Sequence, residues 1–167
     1  MGLLNFLKDA GEKLFGSGEA KAATEQVKAA PTPENRAKLD RAAGDAIKMY
    51  IEKLGLSATA LNVSFDGSTS TCTVSGTCAD QATRERIVLS AGNVAGVSSV
   101  QDQLNVLNLE SEAQYHDVKS GDTLSKIAKT YYGDANKYPL IFEANRPMLS
   151  HPDKIYPGQK LRIPPKP

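Results

Sequence analysis

The stretch Tyr115-His116-Asp117-Val118-Lys119-Ser120-Gly121-Asp122-Thr123-Leu124-Ser125-Lys126-Ile127-Ala128 decides the fold of the second half of the chain. It opens on a short strand-prone run, Tyr115–Val118, and breaks at Gly121, a residue free to turn sharply. Asp122 stands where a helix N-cap is wanted, and Leu124, Ile127, Ala128 and Tyr131 then recur at helical spacing. The pattern predicts a strand over Tyr115–Val118 and a helix over Thr123–Tyr132 with Asp122 as its cap. A second helix follows over Pro139–Asn145. Pro157-Gly158 turns the chain into a last strand, Lys160–Ile163, which Pro164-Pro165 ends. The unit is a small βααβ module.

Working toward the N-terminus, Leu109–Gln114 is a short polar connector. Before it lies a second pattern. Pro31-Thr32-Pro33 punctuates the chain, with Thr32 as an N-cap, Pro33 at the first helical position and Glu34 favourable to the helix dipole. Ala43, Ile47, Tyr50, Ile51 and Leu54 form one apolar face, and Gly55 ends that helix. The period then changes to two at Leu61, Val63 and Phe65. Asp66-Gly67 signals a hairpin, and Cys72 and Val74 continue on the return strand before Gly76. Ala79–Ala91 reads as helix, with Ile87, Val88 and Ala91 on one side. The glycine-bounded Gly92-Asn93-Val94-Ala95-Gly96-Val97 leads into a strand with Val100, Leu104 and Val106 directed inward. Helix, strand, strand, helix, strand is a small α+β sandwich. Both modules are therefore α+β.

The first residues form a third piece. Leu3, Leu7, Ala10 and Leu14 recur at helical spacing, and Gly16-Ser17-Gly18 stops them. This is a short amphipathic helix whose stripe is expected to pack on the domain that follows. Ser17–Pro31 is an Ala-, Lys- and Glu-rich linker or weak helix.

Composition excludes several classes. The 167 residues carry 20 Lys and Arg against 19 Asp and Glu, a net charge of +1. No basic block marks a nucleic-acid binder. No run is long enough to span a bilayer, and the N-terminus lacks the uninterrupted apolar core of a signal peptide, so a cytoplasmic location is expected. Cys72 and Cys78 have neither zinc-ribbon nor redox-pair spacing and are expected as free thiols. His116 and His151 are the only histidines. There is no nucleophile elbow or phosphate loop, and a lone Glu143 lacks the partner a glycosidase needs, so no catalysis is expected.

The motifs carry resemblances. Tyr115–Ala128, with Tyr132-Gly133-Asp134, Ile141-Phe142-Glu143-Ala144-Asn145 and Ile155-Tyr156-Pro157-Gly158-Gln159-Lys160-Leu161-Arg162-Ile163-Pro164, resembles a LysM domain. That resemblance implies a shallow groove for N-acetylglucosamine polymers between two loops, Gly121, Asp122, Thr123 and Leu124 on one side and Ile155, Tyr156, Pro157 and Gly158 on the other. A protein partner at the same surface is the other expectation. Gly92–Val100, after an amphipathic helix and a hairpin, resembles a BON domain. Gly2–Leu14, then BON, then LysM, is similar over nearly the whole chain to the bacterial cytoplasmic potassium-binding proteins of the BON–LysM type. The organisation is then an N-terminal helix over 1–15, a linker over 16–39, BON over 40–109, a connector over 110–114 and LysM over 115–164.

The family resemblance implies K+ as the ligand. It implies that the carbonyls of Leu7 and Ala10 meet those of Gly92, Val94 and Val97. Physically this needs no acidic cluster. K+ is large and weakly hydrated, and backbone carbonyls can replace its water shell, whereas dense carboxylates favour Ca2+ or Mg2+. The same resemblances leave a rival open, an envelope protein that binds peptidoglycan through LysM and phospholipid through BON. A monomer is expected in either case.

Overall fold

The computed structural model describes residues 32–108 and 112–166. The predicted N-terminal helix over 1–15, with Leu7 and Ala10, lies outside the described residues. Helix α1 covers Pro33–Lys53 and starts as the sequence predicts. Thr32 accepts the Asn35 N–H and Pro33 occupies the first turn, where a missing N–H costs nothing. This helix straddles the boundary drawn at residue 40.

Strands β1 (Thr59–Asp66) and β2 (Thr71–Asp80) form the predicted hairpin. Helix α2 (Gln81–Gly92) then crosses to β3 (Ser99–Asn108), which pairs with β2 in parallel. The order is β1-β2-β3, with β2 in the middle. Leu61, Val63, Phe65, Cys72, Val74, Cys78 and Leu104 alternate onto one face, where Ala43, Ile47 and Ile51 of α1 and Ile87 and Ala91 of α2 cover them. The opposite face carries Asn62, Ser64, Thr73, Ser75, Gln101 and Gln103, all exposed or half-buried.

Two boundaries differ from expectation. β2 does not stop before Gly76. It runs on to Asp80, because β1 pairs with it as far as Thr77 across a register shift opposite Gly76, and β3 matches it up to Asp80. Gly76, at φ +142°, lets β1 pass close: a Cβ there would lie 3.0 Å from the Thr59 carbonyl oxygen and 3.2 Å from Leu61 Cα. Consequently α2 starts at Gln81 rather than Ala79, with Asp80 accepting the Thr83 N–H at 2.7 Å.

The second module is the predicted βααβ unit. Strand β4 (Gln114–Asp117) pairs antiparallel with β5 (Lys160–Ile163). Between them lie α3 (Leu124–Tyr132), a 3-10 turn over Ala135–Lys137, and α4 (Tyr138–Ala144). Leu124, Ile127, Ala128, Ile141, Leu149, Leu161 and Ile163 fill its core. The expected cap, Asp122, is not the cap. Thr123 takes that role and accepts the Lys126 N–H at 3.2 Å. Asp122 is claimed by other partners: it accepts the Lys119 N–H at 2.8 Å and holds His116 Nε2 at 2.9 Å. Two adjacent residues both suited to capping make the local pattern ambiguous, and His116 across the turn resolves it.

The modules meet along α2 and β5. Glu85 of α2 and Arg162 of β5 form an ion pair at 2.6 Å, with both side chains more than nine-tenths buried. Glu85 also accepts the Gln81 Nε2–H and the Ala113 N–H, each at 2.9 Å. Arg86 Nε donates to the Ala144 carbonyl at 3.3 Å. The α2 face carrying Gln81, Glu85 and Leu89 is therefore buried, although two of the three residues are polar.

Candidate functional site

The loop after α2 gathers three of the five expected carbonyl donors, Gly92, Val94 and Val97, into one turn between α2 and β3. Helix α2 ends here with Asn93 as its C-cap, and the last-turn carbonyls are partly taken: Leu89 accepts the Asn93 N–H and Ala91 the Val94 N–H. Val94 is buried and its carbonyl accepts the Val97 N–H at 3.1 Å, using one of two lone pairs. Gly96, at φ +95°, lets the chain reverse toward β3.

The electrostatics suit a cation. The negative end of the helix dipole lies at Gly92, and no basic residue stands in the last turn of α2 to neutralise it. From Gly92 to Ser99 the chain has no charged residue. Among the described residues no group of three or more His, Cys, Asp or Glu could hold a metal ion. The loop itself offers an ion backbone carbonyls and no carboxylate. Leu7 and Ala10, the other expected donors, fall outside the described residues.

An open cleft of about 420 Å³ adjoins the loop. Gly92, Val88 and Val100 form its wall in the first module, and Tyr115 and Lys160 face them from the second. Gln81 also lines this cleft, and its Oε1 is buried without a hydrogen-bond partner among the described residues.

The second candidate surface is the pair of loops in the LysM-like module. They come together around Val118, which donates to the Gln159 carbonyl and accepts the Gly158 N–H, both at 2.8 Å. Gly121, Thr123, Tyr156, Pro157 and Gly158 are exposed, Asp122 and Ile155 half-buried. Leu124 is a core residue, so only its backbone is available to a ligand. The loops are already stiffened from within. Lys126 Nζ donates to the Gly121 carbonyl, and Gln159 Oε1 accepts the Tyr156 N–H. The hydrogen bonds from His116 and from the Lys119 N–H hold the Asp122 carboxyl below the usual carboxylate range.

Cys72 and Cys78 are free and buried in the core of the first module, while His116 and His151 belong to the second. His151 and Glu143 are exposed, Glu143 beside Arg146. Sequence reasoning missed the polar contacts that join the two modules. Their members look like ordinary surface residues of a helix and a strand, and no local pattern links positions 77 apart.

Residues 116–164 match the LysM domain family. A stretch of 47 residues is 60% identical to an uncharacterized protein of Deinococcus radiodurans, covering 28% of this chain and 18% of that one. Another of 64 residues is 36% identical to the uncharacterized protein YqbP of Bacillus subtilis, covering 33% and 29% respectively. Across 166 residues the chain is 42% identical to potassium binding protein Kbp of Escherichia coli O6:H1, covering 98% of this chain and 99% of the other. A likeness of that extent spans both modules and the segment before them, and the protein belongs to the Kbp family.

Proposed function

We propose that this protein is a cytoplasmic, non-catalytic potassium-ion binder. K+ is held by the backbone carbonyls of Gly92, Val94 and Val97, with Leu7 and Ala10 completing the shell. The observation that carries the reading is the full-length likeness to a protein named for potassium binding. The α2 C-terminus supports it, because it offers a cation a dipole end whose last turn holds no basic residue. Occupancy ties the N-terminal segment to the loop and favours one compact arrangement. A ligand that binds only that arrangement stabilises it by about 2.7 kcal/mol at a hundred times its Kd.

The test is calorimetric titration with KCl and with NaCl, paired with hydrogen exchange. Heat on K+ addition and new protection around Leu7 and Gly92 are expected. No heat and no protection would sink the proposal. The LysM match keeps a second reading alive, binding of N-acetylglucosamine-containing glycan between the Gly121 and Tyr156 loops. Cell fractionation and a pulldown on purified peptidoglycan separate the two: strong retention with an envelope location favours the glycan.

A further inference from the structure

Strand β5 has one edge paired with β4 and one edge facing away from it. On that second edge the N–H and C=O groups of Lys160 and Arg162 need partners. Two asparagine side chains supply them. Asn145, from the same module, accepts the Arg162 N–H and donates to the Arg162 carbonyl, both at 2.8 Å. Asn93, from the other module, does the same at Lys160, accepting its N–H at 2.9 Å and donating to its carbonyl at 3.0 Å. Each carboxamide stands in for one peptide group of a missing neighbour strand. Asn93 Nδ2 also lies 3.3 Å from Met148 Sδ and 3.0 Å from the Leu89 carbonyl.

Asn93 occupies a special place in the chain. It is flanked by Gly92 and Val94, two of the carbonyl donors proposed above. The peptide plane that aims the Gly92 carbonyl contains the Asn93 N and Cα, so turning that carbonyl is tied to the direction of the Asn93 Cα–Cβ bond, while the Val94 carbonyl belongs to the Val94–Ala95 peptide and follows through the intervening backbone. A two-point contact tolerates little rotation, because both bonds need near-linear geometry. The Lys160 backbone and the ion loop therefore constrain one another through a single side chain.

We infer that Asn93 is the positioning residue that couples ion occupancy at the 92–97 loop to the β5 edge of the LysM module. The inference rests on the potassium reading and adds its route of transmission. Coupling is reciprocal: if the ion favours the loop geometry that pairs with Lys160, then that pairing raises ion affinity by the same factor.

The test is a KCl titration of the full chain followed by amide NMR, at ionic strength held constant with choline chloride. In the wild type, the amides of residues 94–97 and of Lys160 shift together with one apparent Kd. In Asn93→Ala the 94–97 response persists, the Lys160 response disappears, and affinity falls roughly 5- to 10-fold. Asn93→Asp keeps the acceptor for the Lys160 N–H but loses the donor, and is expected to fall between. Asn145→Ala loosens the same edge away from the loop and should leave the Lys160 response and the affinity unchanged. Thermal unfolding of each variant verifies that it is folded. A wild-type loop that responds while Lys160 stays silent overturns the coupling and spares the ion reading. So does an Asn93→Ala variant with wild-type affinity. A wild-type loop that does not respond to K+ removes both.

Discussion

Replacing Glu85 by alanine should be among the most damaging single changes in the protein. The carboxylate is buried and receives three hydrogen bonds, from Arg162 Nε, Gln81 Nε2 and the Ala113 N–H. Its removal leaves the guanidinium of Arg162, whose side chain is only 8% exposed, without its counter-charge. Breaking one half of a buried pair costs about 3–5 kcal/mol. Two further donors lose their acceptor, at about 1–3 kcal/mol each if they stay dry. The modules are joined by polar contacts, so they can part and let water in, which caps the loss. About 4 kcal/mol is the expected net effect, read as a drop in the urea-unfolding free energy, with the single transition splitting in two as the modules uncouple. The double variant Glu85→Met with Arg162→Met should recover most of the loss, because apolar groups of similar volume avoid the desolvation cost of both charges. A single-variant loss below about 1 kcal/mol, or a double variant less stable than the single, would refute this account of the interface.

Three further outcomes are expected. Burial pushes the Cys72 thiol up to about 11, so at pH 8 it should resist a thiol reagent in the native state and react at once in denaturant; fast native labelling would contradict its place in the core. Asp122 is held below the normal carboxylate range, so its contribution is complete above its unfolded pKa and is lost as pH falls through the lower folded value. Urea midpoints of wild type and Asp122→Asn should therefore converge as the pH is lowered toward 2, and a gap independent of pH would argue against the His116 contact as its source. Gly44 sits where α1 rests on β1, and a Cβ there would come within 2.8 Å of the Val63 carbonyl oxygen. Gly44→Ala gains about 1 kcal/mol in helix propensity, yet a clash with backbone costs roughly 1–3 kcal/mol, so net destabilisation is expected by thermal unfolding.

What could be read from residues alone follows a physical division. Local signals were reliable: Thr32 and Pro33 fix the start of α1, the alternation of Leu61, Val63 and Phe65 fixes the inward face of β1, and Asp66-Gly67 marks the hairpin. Errors arose where a distant partner overrides the local choice. Gly76 looks like a stop, but neighbours on both sides keep β2 extended through it. Asp122 looks like a cap, but His116 and the Lys119 N–H take its carboxylate. Helix α2 was the least transparent element. Only Ile87, Val88 and Ala91 announce a buried side, whereas Gln81, Glu85 and Ser90 are buried too, Glu85 against Arg162 and Ala113, which follow much later in the chain. The carbonyl donors were legible only through family resemblance, because a backbone ligand leaves almost no mark on side-chain choice.

The polar make-up of the α2 face also bears on how the protein is made. The whole first module, through Asn108, precedes β5 in the chain, so it leaves the ribosome some fifty residues before the strand that covers Glu85. A docking face built of leucine and phenylalanine would spend that interval as an adhesive patch in a crowded solution. One whose buried Leu89 sits beside glutamine and glutamate keeps most of its surface hydrated while it waits. It becomes a dry contact only when Arg162 arrives.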